Sequence, residues 1–527
     1  MPSFSDYALS KVKDHSLLQN QAHINGKWVS HPTTFEVTDP ATSDVLGSVP
    51  EQGVQETKDA IQAAQEAFKS WKKTTAKTRH DLMLKLFKLF NENLDDLGAI
   101  IALENGKALA EAKDPMLVYR FSDGEIELIT LTRRQGEVAY SASFLEWFAE
   151  EAIRSDGDII PASTSGTRQL VFKQPVGVVG LITPWNFPSA MITRKVAPAL
   201  AAGCTVVIKA PPETPFSALA FAQLAKRAGF PDGVINVITT KAHTKDVGLE
   251  LTTNPVVKKI SFTGSVSSPG QLTPVGKLLM QQASSTLKKC SFELGGLAPF
   301  VVFEDADLDK AVAAAVIAKF RGSGQTCVCT QYHLVHSSVY DQFAEKLAAK
   351  VKAFKVGNAF DEGVTHGPLI HDAAVDKVDR HVQDAVQKGA KVLVGGKKAV
   401  VKGGERGSFY EPTILINVPS SACLGEEETF GPLAALYRFE TEQEALEMCN
   451  SAEVGLAGYF FTENLSRVWR FAEALEVGMV GLNTGILSSS VVPFGGVKQS
   501  GLGREGSKYG LADYQNIKLL VMGGLDA

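Results

Sequence analysis

From Pro175 onward, short apolar runs alternate with amphipathic stretches, and this alternation restricts the chain's folds more than any other feature. VGVVGLI, CTVVIKA, VINVIT and KKISF read as strands. ITRKVAPALAAG and PFSALAFAQLAKRAG, the latter opened by Pro215, read as the helices between them. The strands are apolar throughout rather than at every second residue, so both faces are covered, as in a parallel sheet flanked by helices. Such sheets hold ligands at the carboxyl ends of their strands. A second series begins with the strand PFVVF and the helix DLDKAVAAAVIAKF, with Asp305 and Asp307 near the helix start, and runs to about Lys498. Upstream, Ile61, Ala64, Phe68 and Trp71 predict a helix over 54–71, and Leu82, Leu86, Phe87 and Phe90 predict a second. LVFKQPV and DYQNIKLLVMG read as β segments outside both sheets.

A chain of 527 residues exceeds one simple core and implies two or three domains. A net charge of −5 gives no reason to expect nucleic acid or an anionic membrane as partner, and no apolar run reaches membrane-spanning length. The first twenty residues lack the continuous apolar stretch of a secretory leader, and they carry two aspartates and no arginine, unlike a mitochondrial one. Six cysteines do not make a disulfide scaffold at this length, so a reducing cytoplasm is expected. Cys327 and Cys329 are too close together, with no second pair elsewhere, for a structural zinc site, so no metal is expected.

Cys327 follows RGSGQT, small and polar residues that suit close approach of a ligand. Its thiol reads either as a nucleophile, if its proton is easily lost or a base is near, or as an ordinary buried cysteine. Asn186, in TPWNFP between a strand and a helix, is a candidate oxyanion donor or a turn former. Glu293, in FELGG at a strand end, is a candidate general base or a salt-bridged carboxylate. FTGS ends another strand where backbone N–H groups of Gly264 and Ser265 can meet a pyrophosphate.

TPWNFP, Lys209 after VVI, FTGS, FELGG, GQTC, EETFGP and PFGGVKQSG occur in this order over nearly the whole chain. With them the sequence resembles the aldehyde dehydrogenase superfamily. The resemblance implies an α/β fold with a Rossmann-type cofactor domain, an α/β catalytic domain and a small β oligomerisation element. It implies Cys327 as nucleophile, Asn186 and the Cys327 N–H as the oxyanion hole, and Glu293 as the base that activates water. It places NADP or NAD against Thr183, Trp185, Lys209, Gly264, Ser265, Gly276, Glu428 and Phe430. It also implies a homotetramer or homodimer. The implied divisions are a cofactor domain over 1–156 and 176–294, a catalytic domain over 295–504, and oligomerisation segments 157–175 and 505–527.

Within the superfamily, NFPSAMITRKVAPALAAGCTVVIK, KFRGSGQTCVC and PFGGVKQSGLGREGSKYG resemble the succinate semialdehyde dehydrogenases. A distal carboxylate on the substrate needs a cationic clamp, and arginine suits it. Arg194 and Arg321, with a hydroxyl from Ser488, match that role, and glutarate semialdehyde fits the same clamp. Cys329 matches the second cysteine that makes a redox switch in part of that subgroup. Where the family carries an acid against the adenosine ribose, Pro212 stands here and Glu213 follows, which leans towards NADP or dual use. Two further departures are Leu297 after ELGG, where Asn or Lys is commoner, and Tyr332 in place of an expected Arg. Segments 114–135 and 266–272 read as insertions, either translated intron sequence or genuine segments that loop out from the surface, the second at the pyrophosphate site. The alternative readings are a dehydrogenase of another or broader aldehyde class, or a catalytically silent subunit impaired by the second insertion.

Overall fold

The computed structural model describes residues 4–113, 118–122, 125–129, 136–264 and 274–525. Its first sheet has eight strands, in the order Lys27–Val29, Ala22–Ile24, Ile235–Ile238, Thr205–Lys209, Val178–Ile182, Val257–Thr263, Lys289–Glu293 and Gly501–Leu502. The middle five run parallel, and the additions at both edges are antiparallel. Val206 and Ile208 enter one apolar cluster while Val207 enters the cluster on the opposite face. Residues alternate across a strand, so a run of apolar residues fills both layers at once.

The strand order reverses between Val178–Ile182 and Val257–Thr263. Strands following the first spread one way (205–209, 235–238), and strands following the second spread the other (289–293). The crevice outside that reversal is where an open parallel sheet binds ligand. TPWNFP leaves the first of these strands and Gly264 the second, so the sequence motifs flank one opening.

The second sheet has seven strands, in the order Lys391–Val394, Thr413–Ile416, Leu433–Phe439, Thr330–His336, Ala298–Val302, Ala457–Phe461 and Met479–Leu482, parallel except at the Lys391–Val394 edge. Helix Leu308–Phe320, whose last turn delivers the chain to Cys327, is capped by Asp307, which accepts from the Asp309 and Lys310 N–H groups at 3.1 Å. Asp305 instead binds Thr462, Glu463 and Arg467, tying this loop to the neighbouring strand end. Asp158–Ile160, Arg168–Pro175 and Gln515–Met522 form a separate antiparallel sheet, as read for the last two from sequence. Gly501–Leu502 returns from the second series to pair with Phe292 and Glu293 of the first sheet.

Within the first extra segment, Val118–Ser122 and Glu125–Ile129 pair as an antiparallel hairpin. The 266–272 segment lies outside the described residues. Among the described residues, no helix is long and apolar enough to cross a membrane, and no group of three or more His, Cys, Asp or Glu side chains could hold a metal ion. Leu297 and Tyr332 are absorbed by the second core, where the Tyr332 hydroxyl donates to the Gly425 carbonyl at 2.6 Å.

Candidate active site

The TPWNFP loop is held by a buried frame. Asn105 Nδ2 donates to the Trp185 carbonyl at 3.0 Å, and Lys107 Nζ donates to the Asn186 carbonyl at 3.1 Å. Lys107 also pairs with Glu137, whose Oε1 accepts from the Ser189 and Ala190 N–H groups at 2.9 and 3.3 Å. Those are free donors at the start of helix Ala190–Ala202, where a carboxylate is favoured. Neither side chain of the pair exceeds 1% exposure. Removing one partner of such a pair strands a buried charge, at a cost of about 3–5 kcal/mol. Lys107→Met is therefore expected to lower stability by that amount in denaturant titration. It should also reduce kcat, because the loop carrying Asn186 loses its anchor. A melting curve and activity both unchanged would show that the pair does not hold the loop.

Asn186 Nδ2 donates one hydrogen to the Gln325 carbonyl at 3.0 Å, which fixes the amide plane. An amide nitrogen has a second hydrogen, and this one is available to a developing oxyanion. Gln325 is itself fixed: its Oε1 accepts from Ile370 N–H at 3.0 Å. The chain reaches Cys327 through a tight reversal in which Gly322, Ser323 and Gly324 all have positive φ (59°, 53° and 75°). At Gly324 a Cβ would stand 2.1 Å from the Gly431 carbonyl oxygen, so only glycine lets this loop lie against the segment carrying Glu428 and Phe430.

One cavity is lined by Trp185, Asn186, Gly264, Glu293, Cys327, Glu428 and Phe430, together with Pro184, Thr263, Leu294 and Gly295. It unites the three residues read as catalytic with four of those read as cofactor contacts. Burial pushes the Cys327 thiol up to about 11, while the nearby Arg194 and Arg321 guanidinium groups pull it down. Glu293 is buried; its Oε1 has no hydrogen-bond partner among the described residues, and its Oε2 pairs with Arg194 Nη2.

Arg194, projecting from helix Ala190–Ala202, also pairs through Nε with Glu505 and packs over the Phe494 ring at 4.2 Å. The sequence reading assigns this guanidinium to a substrate carboxylate; here two protein carboxylates hold it. Arg321 lies with its guanidinium 5.4 Å from the Phe187 ring and forms no ion pair with a carboxylate among the described residues. Tyr140 packs against Phe187, and its buried hydroxyl lies beside Arg194. Both arginines act electrostatically on this phenol and on Cys327.

The other end of the cavity suits a nicotinamide nucleotide. Trp185 and Phe430 meet edge to face at 5.7 Å, and Glu428 is buried beside them. Desolvation pushes Glu428 up to about 7, opposed by Lys377, the Gly296 N–H and Lys319. A carboxylate so placed fits ribose hydroxyls. Thr183 carries a buried hydroxyl without a hydrogen-bond partner among the described residues. Lys209, at the end of the adjacent strand, is buried and makes no ion pair among the described residues; burial pushes it down to about 8, opposed by Glu213 and Glu51. Gly276 is buried in helix Pro274–Ala283, and a Cβ there would meet Leu294 of the cavity wall at 2.8 Å. Unpaired polar groups at the carboxyl ends of parallel strands are what a dinucleotide satisfies.

The sequence profile of the Aldehyde dehydrogenase family matches residues 28–121 and 129–520, leaving only 122–128 unmatched inside that span. The chain belongs to the aldehyde dehydrogenase family. The Pseudomonas putida glutarate-semialdehyde dehydrogenase is 52% identical over 97% of this chain and 99% of its own length. The Escherichia coli succinate-semialdehyde dehydrogenase [NADP(+)] GabD is 52% identical over 97% of this chain and 100% of its own. Among solved structures, an E. coli NADP dependent enzyme superposes with a TM-score of 0.90 at 51% identity, covering 97% of this chain and 100% of that one. The betaine aldehyde dehydrogenase of Staphylococcus aureus in complex with NAD+ is more distant, 32% identical over 97% of both chains, with a TM-score of 0.88.

Not every residue expected of a family member reaches the cavity. Ser488 is half-buried in the loop after strand Met479–Leu482 and does not line it, and neither do Arg194, Arg321, Thr183, Lys209 or Gly276. Cys329 turns its thiol towards the Arg321 carbonyl at 3.9 Å, and all six cysteines are free. Ser265 lies outside the described residues. The supports that sequence reading missed are Lys107, Glu137, Tyr140, Gln325, Ser500 and Glu505. Ser500 illustrates the missed signal: its hydroxyl donates to the Gly295 carbonyl and accepts from the Gly455 N–H, both at 2.9 Å, locking the turn after Glu293. It stands in PFGGVKQSG, a motif used for recognition but not for a role.

Proposed function

We propose that this chain oxidises succinate semialdehyde to succinate, with NADP or NAD as the second substrate. The observation that carries the substrate class is the pair of guanidinium groups, Arg194 and Arg321, that act together on the Cys327 thiol and the Tyr140 hydroxyl. Cys327 gives its thiol proton to water, Sγ bonds to the aldehyde carbon, and the carbonyl oxygen becomes an oxyanion held by Asn186 Nδ2 and the Cys327 N–H. Removing such a donor costs roughly 10²–10³ in rate. Trp185, Glu428 and Phe430 would hold a nicotinamide nucleotide, which would supply the hydride acceptor for oxidation of the thiohemiacetal to the thioester. Glu293 then takes a proton from water as its oxygen attacks the thioester, and Cys327 leaves as thiolate. Pro212, where an acid would repel a 2′-phosphate, favours NADP.

Glutarate semialdehyde is the second reading, favoured by the similarity to the P. putida glutarate-semialdehyde dehydrogenase. Steady-state assays with both semialdehydes and with propanal, each with NADP⁺ and NAD⁺, separate the readings. The charged aldehydes should give the higher kcat/KM. Arg321→Gln should lower it for them by roughly ten- to hundredfold, the value of one charge-assisted hydrogen bond, and leave propanal nearly unchanged. Equal efficiency on propanal and the semialdehydes in the wild type would refute an acid-bearing substrate.

Cys329, two residues from the nucleophile, supports a reversible switch in which peroxide joins the two sulfurs as a disulfide, with release of water, and thiol reopens it. Near neighbours make a strained, easily reduced bridge. A Cys329→Ala protein that still loses activity to mild peroxide and regains it with thiol would contradict this.

The same reading places the protein in the cytoplasm and gives the separate three-stranded sheet to assembly. Ile159, Ile517, Leu519 and Val521 stand more than half exposed on it, and edge strands with apolar side chains seek partners. A homotetramer or homodimer follows, with cofactor domain 1–156 and 176–294, catalytic domain 295–504 and assembly segments 157–175 and 505–527.

A further inference from the structure

The residue proposed to receive the substrate carboxylate and the residue proposed as general base are paired with each other. Glu505 spans two cations, taking Arg194 Nε on one oxygen and Lys195 Nζ on the other. Arg194 Nη2 then reaches Glu293 Oε2. None of the four side chains exceeds 5% exposure, so water screens little of the charge between them. The cluster holds two cations and two carboxylates. Glu505 is satisfied by Lys195 as well as by Arg194, whereas among the described residues the only other side-chain contact of the Glu293 carboxylate is the Thr263 hydroxyl, at 3.4 Å. Glu293 is therefore the more easily displaced of Arg194's two anions.

A semialdehyde seated with its aldehyde carbon on Cys327 brings a third carboxylate towards Arg194, Arg321 and Tyr140. Substrate and Glu293 then compete for the Arg194 guanidinium, whose Nε stays on Glu505, while Arg321 adds a cation that only the incoming carboxylate gains; the displaceable member is Glu293. A carboxylate bound to a guanidinium is a poorer proton acceptor than a free one. We infer that Glu293 is held on Arg194 until the substrate carboxylate takes its place, so that an anionic substrate releases its own general base. This rests on the semialdehyde reading and adds to it a reason for selectivity beyond binding. A neutral aldehyde can enter, bond to Cys327 and be oxidised, yet its thioester waits for a base still tied to Arg194. In the gated step the released Glu293 takes a proton from water as the water oxygen bonds to the thioester carbon. The C–S bond then breaks with its electron pair on Cys327 Sγ, and the new oxygen leaves in the acid product.

Rapid mixing of the full-length enzyme with NADP⁺ and aldehyde tests this. Propanal is the semialdehyde without its carboxylate, and formate supplies the missing group. With propanal, reduced cofactor should appear in a burst of about one equivalent per site, followed by a steady rate roughly ten- to hundredfold slower, the value of one hydrogen bond to a charged group. Succinate semialdehyde should show no burst. Added formate should speed the propanal steady phase without changing the burst. Arg194→Gln should abolish the burst with propanal by raising the steady phase, while raising KM for the semialdehyde. If this variant fails to fold, the formate experiment on the wild type decides alone. Propanal thioester that hydrolyses as fast as the succinyl one, or a steady phase indifferent to formate, overturns the inference. So does a propanal reaction with no burst at all, which places the gate ahead of Glu293. Failure of the semialdehyde itself to turn over would sink the substrate reading instead.

Discussion

Cys327→Ala should abolish dehydrogenase turnover while leaving nucleotide binding intact. No other sulfur can substitute. Cys329 faces the Arg321 carbonyl, away from the cavity that Cys327 lines. The variant should still melt at a higher temperature with NADP⁺ or NAD⁺, because Trp185, Glu428 and Phe430 are untouched; a hundredfold excess over Kd adds about 2.7 kcal/mol. Stabilisation without turnover separates loss of chemistry from loss of the site, and it distinguishes an enzyme from a silent subunit, whose wild type would be equally inactive. The thiol has its own signature. With no ligand bound, its value near 11 leaves on the order of one part in 10⁴ as thiolate at pH 7. A raised thiol gains thiolate only as pH climbs, so iodoacetamide labelling of Cys327, read by peptide mapping, should rise about tenfold per unit from pH 7 to 9 without levelling. A plateau near pH 8 would mean that the arginines outweigh burial.

The sheets were legible because their strands are buried on both faces. A run such as TVVIK needs no periodicity to be read once helices flank it, and the structure returns Thr205–Lys209. The reversal of strand order was not written in any one segment. It emerges only when 257–263 pairs with 178–182, and that pairing sets TPWNFP against Gly264. The same distinction holds at the site. Asn186, Glu293, Cys327 and Glu428 were readable because each sits in a short motif whose residue types suit its chemistry. Lys107 and Glu137 were not, because each is an ordinary charged residue in a helical stretch until folding buries them together, 30 positions apart in sequence. Glu505 is the clearest case. It lies in GLGREGS, a segment read for its resemblance and for no chemistry, yet it grips both Arg194 and Lys195. Long-range ion pairs leave no local pattern, so the motif positions of a site can be read from sequence while the groups that tune them cannot.

Glu293→Gln should arrest the enzyme at the thioester. The substitution keeps the shape and an oxygen that can still accept from Arg194, so the buried cluster loses a charge without opening a hole. The thiol, the oxyanion donors and the Glu428 end of the cavity remain, so carbon–sulfur bond formation and oxidation should proceed once per site. What disappears is the acceptor for the water proton. General-base assistance typically contributes about 10²–10⁴ in rate, and kcat with succinate semialdehyde should fall by that much. The measurement is a rapid burst of reduced cofactor equal to the number of sites, followed by near silence. Mass spectrometry of the stalled protein should find a succinyl group on the peptide containing Cys327. Hydroxylamine, a nucleophile that needs no general base at neutral pH, should release that group and restore a second burst. A Gln variant with no burst would place Glu293 before the thioester, as the base that takes the thiol proton. A burst that hydroxylamine resets places it after, as the base that takes the proton of water once its contact with Arg194 is exchanged for the substrate's.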